Sequence, residues 1–436
     1  MKEKEKISFK EINKLAIPAI LAGIAEPLIS IADSAIVGHL GTEELGAVGI
    51  STSFFLLMVW GLSSMKSAIS SIVANYYGKN ELSEIKTLIP QAIVISTLIG
   101  LICYFVTVPI STSIFQFYEA KGKILILAND YFVIRAIGFP LTLATFSIFG
   151  VFRGYQNTVW AMIISLVGAA INVFLDYSMV YGEFGFVQMG VEGAAWASVI
   201  SQVFMLVSAL VMLKIKLPNS YTFSIKPNKE MKQLLGMGGN LFLRTFALNI
   251  AYYLGNRFAT SYGDEYIAAH TIAMNIWLFS SFFIDGYANA GNAIAGKIMG
   301  QGNKKLLYNT GIRIVRISML IGLMLSAVYS LSYYYVVDFF TSDESVKTIF
   351  WSVFWMVIIS QPINAISFAL DGIFKGLGRA ALLRNTLVLG TFLVYLPIIY
   401  LADYFNWQVF SIWTAFIFWM AFRGGSLLVV FRREFN

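Results

Sequence analysis

The chain has 436 residues, 58% of them hydrophobic and only 13% charged, with a mean hydropathy of +0.72. A soluble protein of this length needs far more charge to cover its surface, so the solvent around most of this chain is lipid. The formal net charge of +7 follows from membrane topology without a nucleic-acid partner, and a single cysteine excludes an intramolecular disulfide or a cysteine-cluster metal site.

From the N-terminus, MKEKEKISFKEINK looks like the basic start of a signal peptide. The apolar stretch behind it is long, contains Glu26 and Asp33 and lacks a cleavage site, so it reads as a retained first span. Apolar windows then follow at 15–39, 44–76, 86–108, 129–152, 159–181, 190–213, 234–262, 266–296, 307–335, 346–374, 383–402 and 406–429. Each holds at least the roughly 20 residues of a bilayer-crossing helix, and the longest must tilt or kink. The pattern predicts an all-α polytopic membrane protein of about twelve spans. Most of the 31 Lys and Arg fall on one face, with Lys121, Lys123, Arg135, Arg257 and Lys347 on the other and Lys66 and Arg244 inside spans. The bias predicts cytoplasmic termini in a bacterial inner membrane.

An internal repeat organises these spans. Pro140 stands 222 residues before Pro362, and the same shift runs ungapped from residue 41 to 168. It carries Gly41 to Gly263, Glu43 to Glu265, Gly78 to Gly300, and FSIFGVFRG onto FALDGIFKG. Chance matches among apolar residues would not keep Gly, Pro and basic positions in register, so the chain is a duplication. Six spans per half give two six-helix lobes of parallel orientation, an N-terminal lobe at 1–212 and a C-terminal lobe at 233–436. A cytoplasmic linker at 213–232 joins them. Parallel repeats of this kind place a substrate between the halves and work by alternating access.

Ionisable residues inside spans are costly and therefore informative. The first span carries Glu26, Ser30, Asp33 and Ser34 at helical spacing, and the fifth carries Asn172 and Asp176 four residues apart, on one face. With Ser198 of the sixth span, Asp33, Asn172 and Asp176 supply the oxygens and charge to bind a proton or Na+. Their repeat counterparts are apolar: Asn172 maps to Val394 and Asp176 to Ile398. Lys66, Arg244, Asp285 and Asp371, with Glu26, are candidates for a substrate cleft, for gating or for structural ion pairs. Pro18 and Pro27 permit bending of the first span beside its acidic face. His39 and His270 suit interfacial or packing roles, and Cys103 a packed span.

Several segments resemble the multidrug and toxic compound extrusion (MATE) family over nearly the whole chain. They are PLISIADSAIVGHLGTEELGAVGIS, FRGYQNT, NVFLDYSMVYG, GVEGAAWASVISQ and YIAAHTIAMN, while LFLRTFAL, IDGYANAG and QPINAISFALDGIFKGLG are similar to its DinF-like branch. The resemblance implies an antiporter exporting organic, cationic or amphipathic compounds against inward H+ or Na+, with no cofactor. It places the cation site on Asp33, Asn172 and Asp176, with Ser198 where a hydroxyl is usual. The acidic pair of another branch is half matched, since Asp371 is present but Arg244 stands where a carboxylate would be. The implied partners are small-molecule substrates and the bilayer, and the implied state is a monomer.

Other classes fit less well. A lipid-precursor flippase of the same superfamily would add spans and basic charge, and GKNELSEIK is a poor match to the major-facilitator loop. A membrane-embedded enzyme would need a constellation such as HExxH, GxSxG or GxxxxGK[ST], and none occurs.

Overall fold

The structure, a computed structural model, describes residues 7–435, without the side chain of Glu26. Backbone N–H and C=O groups in hydrocarbon must be satisfied within their own segment, and the chain meets this with helices alone. Among the described residues sixteen α-helices occur and no strand. In chain order these are α1 (Phe9–Gly38), α2 (Thr42–Leu62), α3 (Ser64–Lys79), α4 (Leu88–Thr107), α5 (Ser111–Phe117), α6 (Gly122–Arg135), α7 (Gly138–Gly154) and α8 (Val159–Tyr181). There follow α9 (Gly190–Lys216), α10 (Met231–Tyr262), α11 (Asp264–Gln301), α12 (Lys304–Leu331), α13 (Glu344–Gly376), α14 (Ala380–Gly390), α15 (Leu396–Tyr404) and α16 (Val409–Phe435).

Every one of the twelve apolar windows holds helix. Ten helical stretches are long and apolar enough to cross a membrane, and the pair α6 and α7, bent by 43°, makes an eleventh. The remaining window is α10, long enough but interrupted by Asn240, Arg244 and Asn249. The bend between α6 and α7 falls at Ala136 and Ile137, shortly before Pro140. Its repeat partner Pro362 lies inside an unbroken α13. A second irregularity, a π-helical turn at Thr391–Tyr395, separates α14 from α15.

Glycines set the closest helix approaches, and they do so twice. A side-chain carbon at Gly100 of α4 would collide with the backbone of Pro140, and one at Gly322 of α12 with the backbone of Pro362. Gly150 of α7 lies against the carbonyl of Lys66 in α3, and Gly372 of α13 against that of Ala288 in α11. All four pairs are related by the 222-residue shift, so the repeat is a repeat of backbone contacts.

The chain packs as two compact units, Leu21–Leu235 and the described residues on either side of it. In the second unit the core is aromatic, with Phe350, Phe354, Tyr395, Trp413, Phe416 and Trp419 buried together. In the first, the segment after α9 is strapped to α4: Thr222 N–H donates to the Lys86 carbonyl at 2.9 Å, and Gln91 Nε2 to that of Lys226 at 2.7 Å. Replacing Gly150 or Gly372 by Leu should destabilise the protein by about 1–3 kcal/mol through overpacking. Thermal unfolding in detergent checks this, with Gly49→Leu, where no neighbour stands within 4 Å, as the tolerant control.

Candidate functional site

Within Leu21–Leu235, α1, α8 and α9 bring the four expected polar residues together. Asp33, Asn172, Asp176 and Ser198 are all buried, none more than 2% exposed. Asn172 Nδ2 donates to Ser198 Oγ at 3.3 Å, and the Ser198 hydroxyl donates to Asp33 Oδ2 at 3.4 Å. The Asp176 carboxyl stands beside that of Asp33. As two carboxylates they lack donors, for Asp33 Oδ1, both Asp176 oxygens and Asn172 Oδ1 are buried without a partner. A donor-poor group of oxygens is the chemistry of a proton or hard-cation site.

One helical turn further along each of the three helices lies an apolar plug. Val37, Val180 and Ala194 are buried together with Val48, Tyr131, Val191 and Ala195. On the opposite side, Ser30 and Ser198 line a cavity walled by α1, α2, α3, α6, α7, α8 and α9. Its surface mixes Phe55, Phe146, Phe149 and Met205 with Ser165, Ser201, Gln202, Thr142 and Thr145, and it holds two cations, Lys66 and Arg135. The ion group thus sits between a dry plug and a polar-lined cavity.

Arg135 corrects the sequence reading. The positive-charge count sets it on the membrane face opposite most Lys and Arg, yet it is 7% exposed. Its guanidinium lies 3.8 Å over the ring of Phe55, and it acts electrostatically on Asp33. It ends α6, just before the bend into α7, and lines the cavity. Arg153 and Arg423, also counted as interfacial, are likewise buried.

In the other unit, Asp371 on α13 is the hub. Arg244 of α10 reaches its Oδ1 through Nε and Nη2, both at 2.9 Å. Arg423 of α16 pairs with the same oxygen at 2.9 Å, and Lys375 with Oδ2 at 2.7 Å. Asp285 on α11 lies within electrostatic reach of the three cations. The set of Arg244, Asp285 and Asp371 is therefore one ion cluster, enlarged by Arg423 and Lys375. The shift of 222 sets Asp371 opposite Phe149, and carried outward sets Arg244 opposite Ala22 and Arg423 opposite Ser201. Those three counterparts line the cavity. Ion pairs thus stand where the first half has cavity wall.

Of the histidines, His270 is fully buried against Trp413, and His39 bonds through Nδ1 to the Ala35 carbonyl. Among the described residues no group of three or more His, Cys, Asp and Glu is arranged to hold a metal. Glu26 lies outside the described side chains, and α1 runs as one helix past Pro18 and Pro27.

A duplicated, all-helical, polytopic chain with a polar cavity and buried ionisable groups fits the class of membrane transporters. The MatE family model matches residues 18–178 and again 241–401, and this chain belongs to that family. The two matches are displaced by nearly the repeat shift. Protein DETOXIFICATION 44, chloroplastic, of Arabidopsis thaliana is 28% identical over 429 residues, 95% of this chain and 80% of the relative. DNA damage-inducible protein F of Escherichia coli is 27% identical over 441 residues, 98% of this chain and 93% of the relative. Probable multidrug resistance protein NorM of Thermotoga maritima is 24% identical over 434 residues, 97% and 92%. A crystal structure of MATE in the bent conformation shares the fold, with a TM-score of 0.91 at 22% identity over 98% of this chain and 95% of that one.

Asp371→Leu should cost about 3–5 kcal/mol, because it strands three cations in the protein interior. Arg423→Gln should cost less, since two cations still hold the carboxylate. Unfolding midpoints of the purified variants, ranked D371L below R423Q below wild type, check this.

Proposed function

We propose that this chain is a secondary active antiporter that exports organic compounds by alternating access in exchange for H+ or Na+, with Asp33, Asn172, Asp176 and Ser198 as the coupling-ion site. One observation carries the reading. Two adjacent buried carboxylates, deficient in donors, are linked by the Ser198 hydroxyl to the wall of a cavity and backed by an apolar plug. Charge there must be compensated by an ion arriving through the cavity side, so ion occupancy and the cavity's contents are coupled through one wall.

Of the cationic or amphipathic compounds expected from the sequence, the cavity's mixture of phenylalanines and hydroxyls supports the amphipathic class. Both oxygens of Asp371 are held by cations of its own cluster, which favours coupling in the N-terminal lobe (1–212) and a scaffold role for the C-terminal lobe (233–436). The same proposal has the protein monomeric in a bacterial inner membrane, with its termini and linker (213–232) cytoplasmic. One positive charge entering down about 100 mV releases about 2.3 kcal/mol, enough for a roughly 50-fold gradient of a neutral compound.

Asp33→Asn should abolish efflux in everted vesicles while leaving membrane insertion intact. Wild-type efflux by that variant would end the proposal. Imposing a pH gradient or a sodium gradient across the same vesicles identifies the coupling ion, because only the coupled one drives substrate movement.

A further inference from the structure

The segment after α9 is held in place along the start of α4, and Gln91 of α4 makes three of the bonds. Its Nε2 donates to the carbonyls of Ser224 and Lys226, and its Oε1 accepts from the Asn228 N–H. Asn228 Nδ2 in turn donates to Thr87 Oγ1 at 2.9 Å. A segment fixed in this way normally turns its apolar side chains inward. Here Phe223 is 79% exposed and Ile225 fully so. The same segment is basic: residues 213–232 carry five lysines and one carboxylate, Glu230, and residues 79–86 beside it add Lys79 and Lys86 against Glu81 and Glu84. Of the three carboxylates, Glu84 is paired with Lys229 and Glu230 accepts from the Tyr76 hydroxyl.

Phe223 is a ridge between two apolar grooves that share Pro90 and Val94 of α4. One groove lies between α4 and α9, walled by Leu210 and Val211, and reaches Tyr221 and Lys214. Ile225, Pro227 and Met231 border the other. Val94, Leu210 and Val211 are exposed on helices long and apolar enough to cross a membrane, so the first groove opens to hydrocarbon. Lys214, one helical turn beyond Leu210, is exposed and its ammonium has no partner among the described residues. Lys216 Nζ lies 4.9 Å over the ring of Trp160, a residue type that favours the headgroup level. Under the 222-residue shift Gln91 and Val94 meet Arg313 and Arg316, so neither groove is a scaffold feature.

We propose that residues 213–232 form a lipid-binding strap: an anionic phospholipid of the adjoining leaflet lays an acyl chain in the groove between α4 and α9, beside Phe223, and sets its phosphate on Lys214. The chain covers Phe223, Val94 and Val211, and the phosphate gains a charge-assisted bond at a lysine-rich edge. A zwitterionic lipid offers the same chains but returns a positive group to that edge. A second copy of this chain, docked by the same surface, would set lysines against lysines. The grooves share no lining residue with the polar cavity. The strap therefore stands whether or not the antiport reading does.

Native mass spectrometry of the full-length protein tests it, with dioleoyl phosphatidylglycerol, dioleoyl phosphatidylcholine and glycerol 3-phosphate as probes. The wild type should bind phosphatidylglycerol about fivefold more tightly than phosphatidylcholine, and glycerol 3-phosphate far more weakly than either. Lys214→Gln should lower phosphatidylglycerol affinity about fivefold and leave phosphatidylcholine unchanged. Phe223→Ser should weaken both lipids about tenfold, and Lys121→Gln, at the start of α6, should alter neither. Equal binding of the two lipids by the wild type, an unchanged preference in K214Q, or the same loss in K121Q overturns the proposal. Glycerol 3-phosphate binding as tightly as the lipid, or a dimer that F223S dissolves, gives the surface to another occupant and also overturns it. Cys103 is buried, so a spin label can be directed to Ile225→Cys. In nanodiscs of the two lipids that label should collide with oxygen more often than with an aqueous nickel chelate. The reverse order sets the strap in water and ends the proposal.

Discussion

A charge buried inside a lipid-embedded protein has to be balanced close by, and the two halves of this chain do so by different means. In the second half Arg244, Arg423 and Lys375 converge on Asp371, with Asp285 in electrostatic reach, so both Asp371 oxygens are paired. In the first half Asp33 and Asp176 lie side by side with a single weak hydroxyl contact to their four oxygens, and Arg135 acts on Asp33 only through its field. A satisfied cluster is stable and inert, whereas an unsatisfied one responds to whatever ion reaches it. The division of labour proposed above rests on that difference rather than on any difference in fold.

The fold itself depends on helices approaching to backbone distance. Gly100 against Pro140, Gly150 against Lys66, and their counterparts in the second half fix α4, α7 and α3 and then α12, α13 and α11 in the same mutual arrangement. With the backbones so located, the remaining side chains decide only what fills the space between helices. Phe149, Ala22 and Ser201 leave a cavity there, and the residues at the equivalent positions, Asp371, Arg244 and Arg423, form ion pairs.

Much of this is legible in the residues alone. Hydropathy locates all twelve helical windows, and the spacing of Gly and Pro reveals the duplication, because both signals are properties of single positions in order. The convergence of Asp33, Asn172, Asp176 and Ser198 is legible too, since intramembrane polar residues on one helix face have few places to go. Arg135, Arg153 and Arg423 are different. Each lies near the end of an apolar run, where a basic side chain ordinarily marks an interface, and only the packing shows that it turns inward. Pro140, five residues on from Arg135, is no sufficient signal, since its counterpart Pro362 lies in an unbroken helix. The turn at Thr391–Tyr395 had no signal beyond the loss of polar residues at Val394 and Ile398.

The paired glycine seats also bear on how such a chain evolves. After duplication, a position whose side chain would strike a neighbour's backbone is frozen in both copies, because any larger residue separates the helices. Positions facing the intervening space carry no such constraint and drift independently. Selection then acts on two chemically free rooms within identical walls, so one copy can keep a transport chemistry while its twin is recruited to mechanical support, without either having to refold.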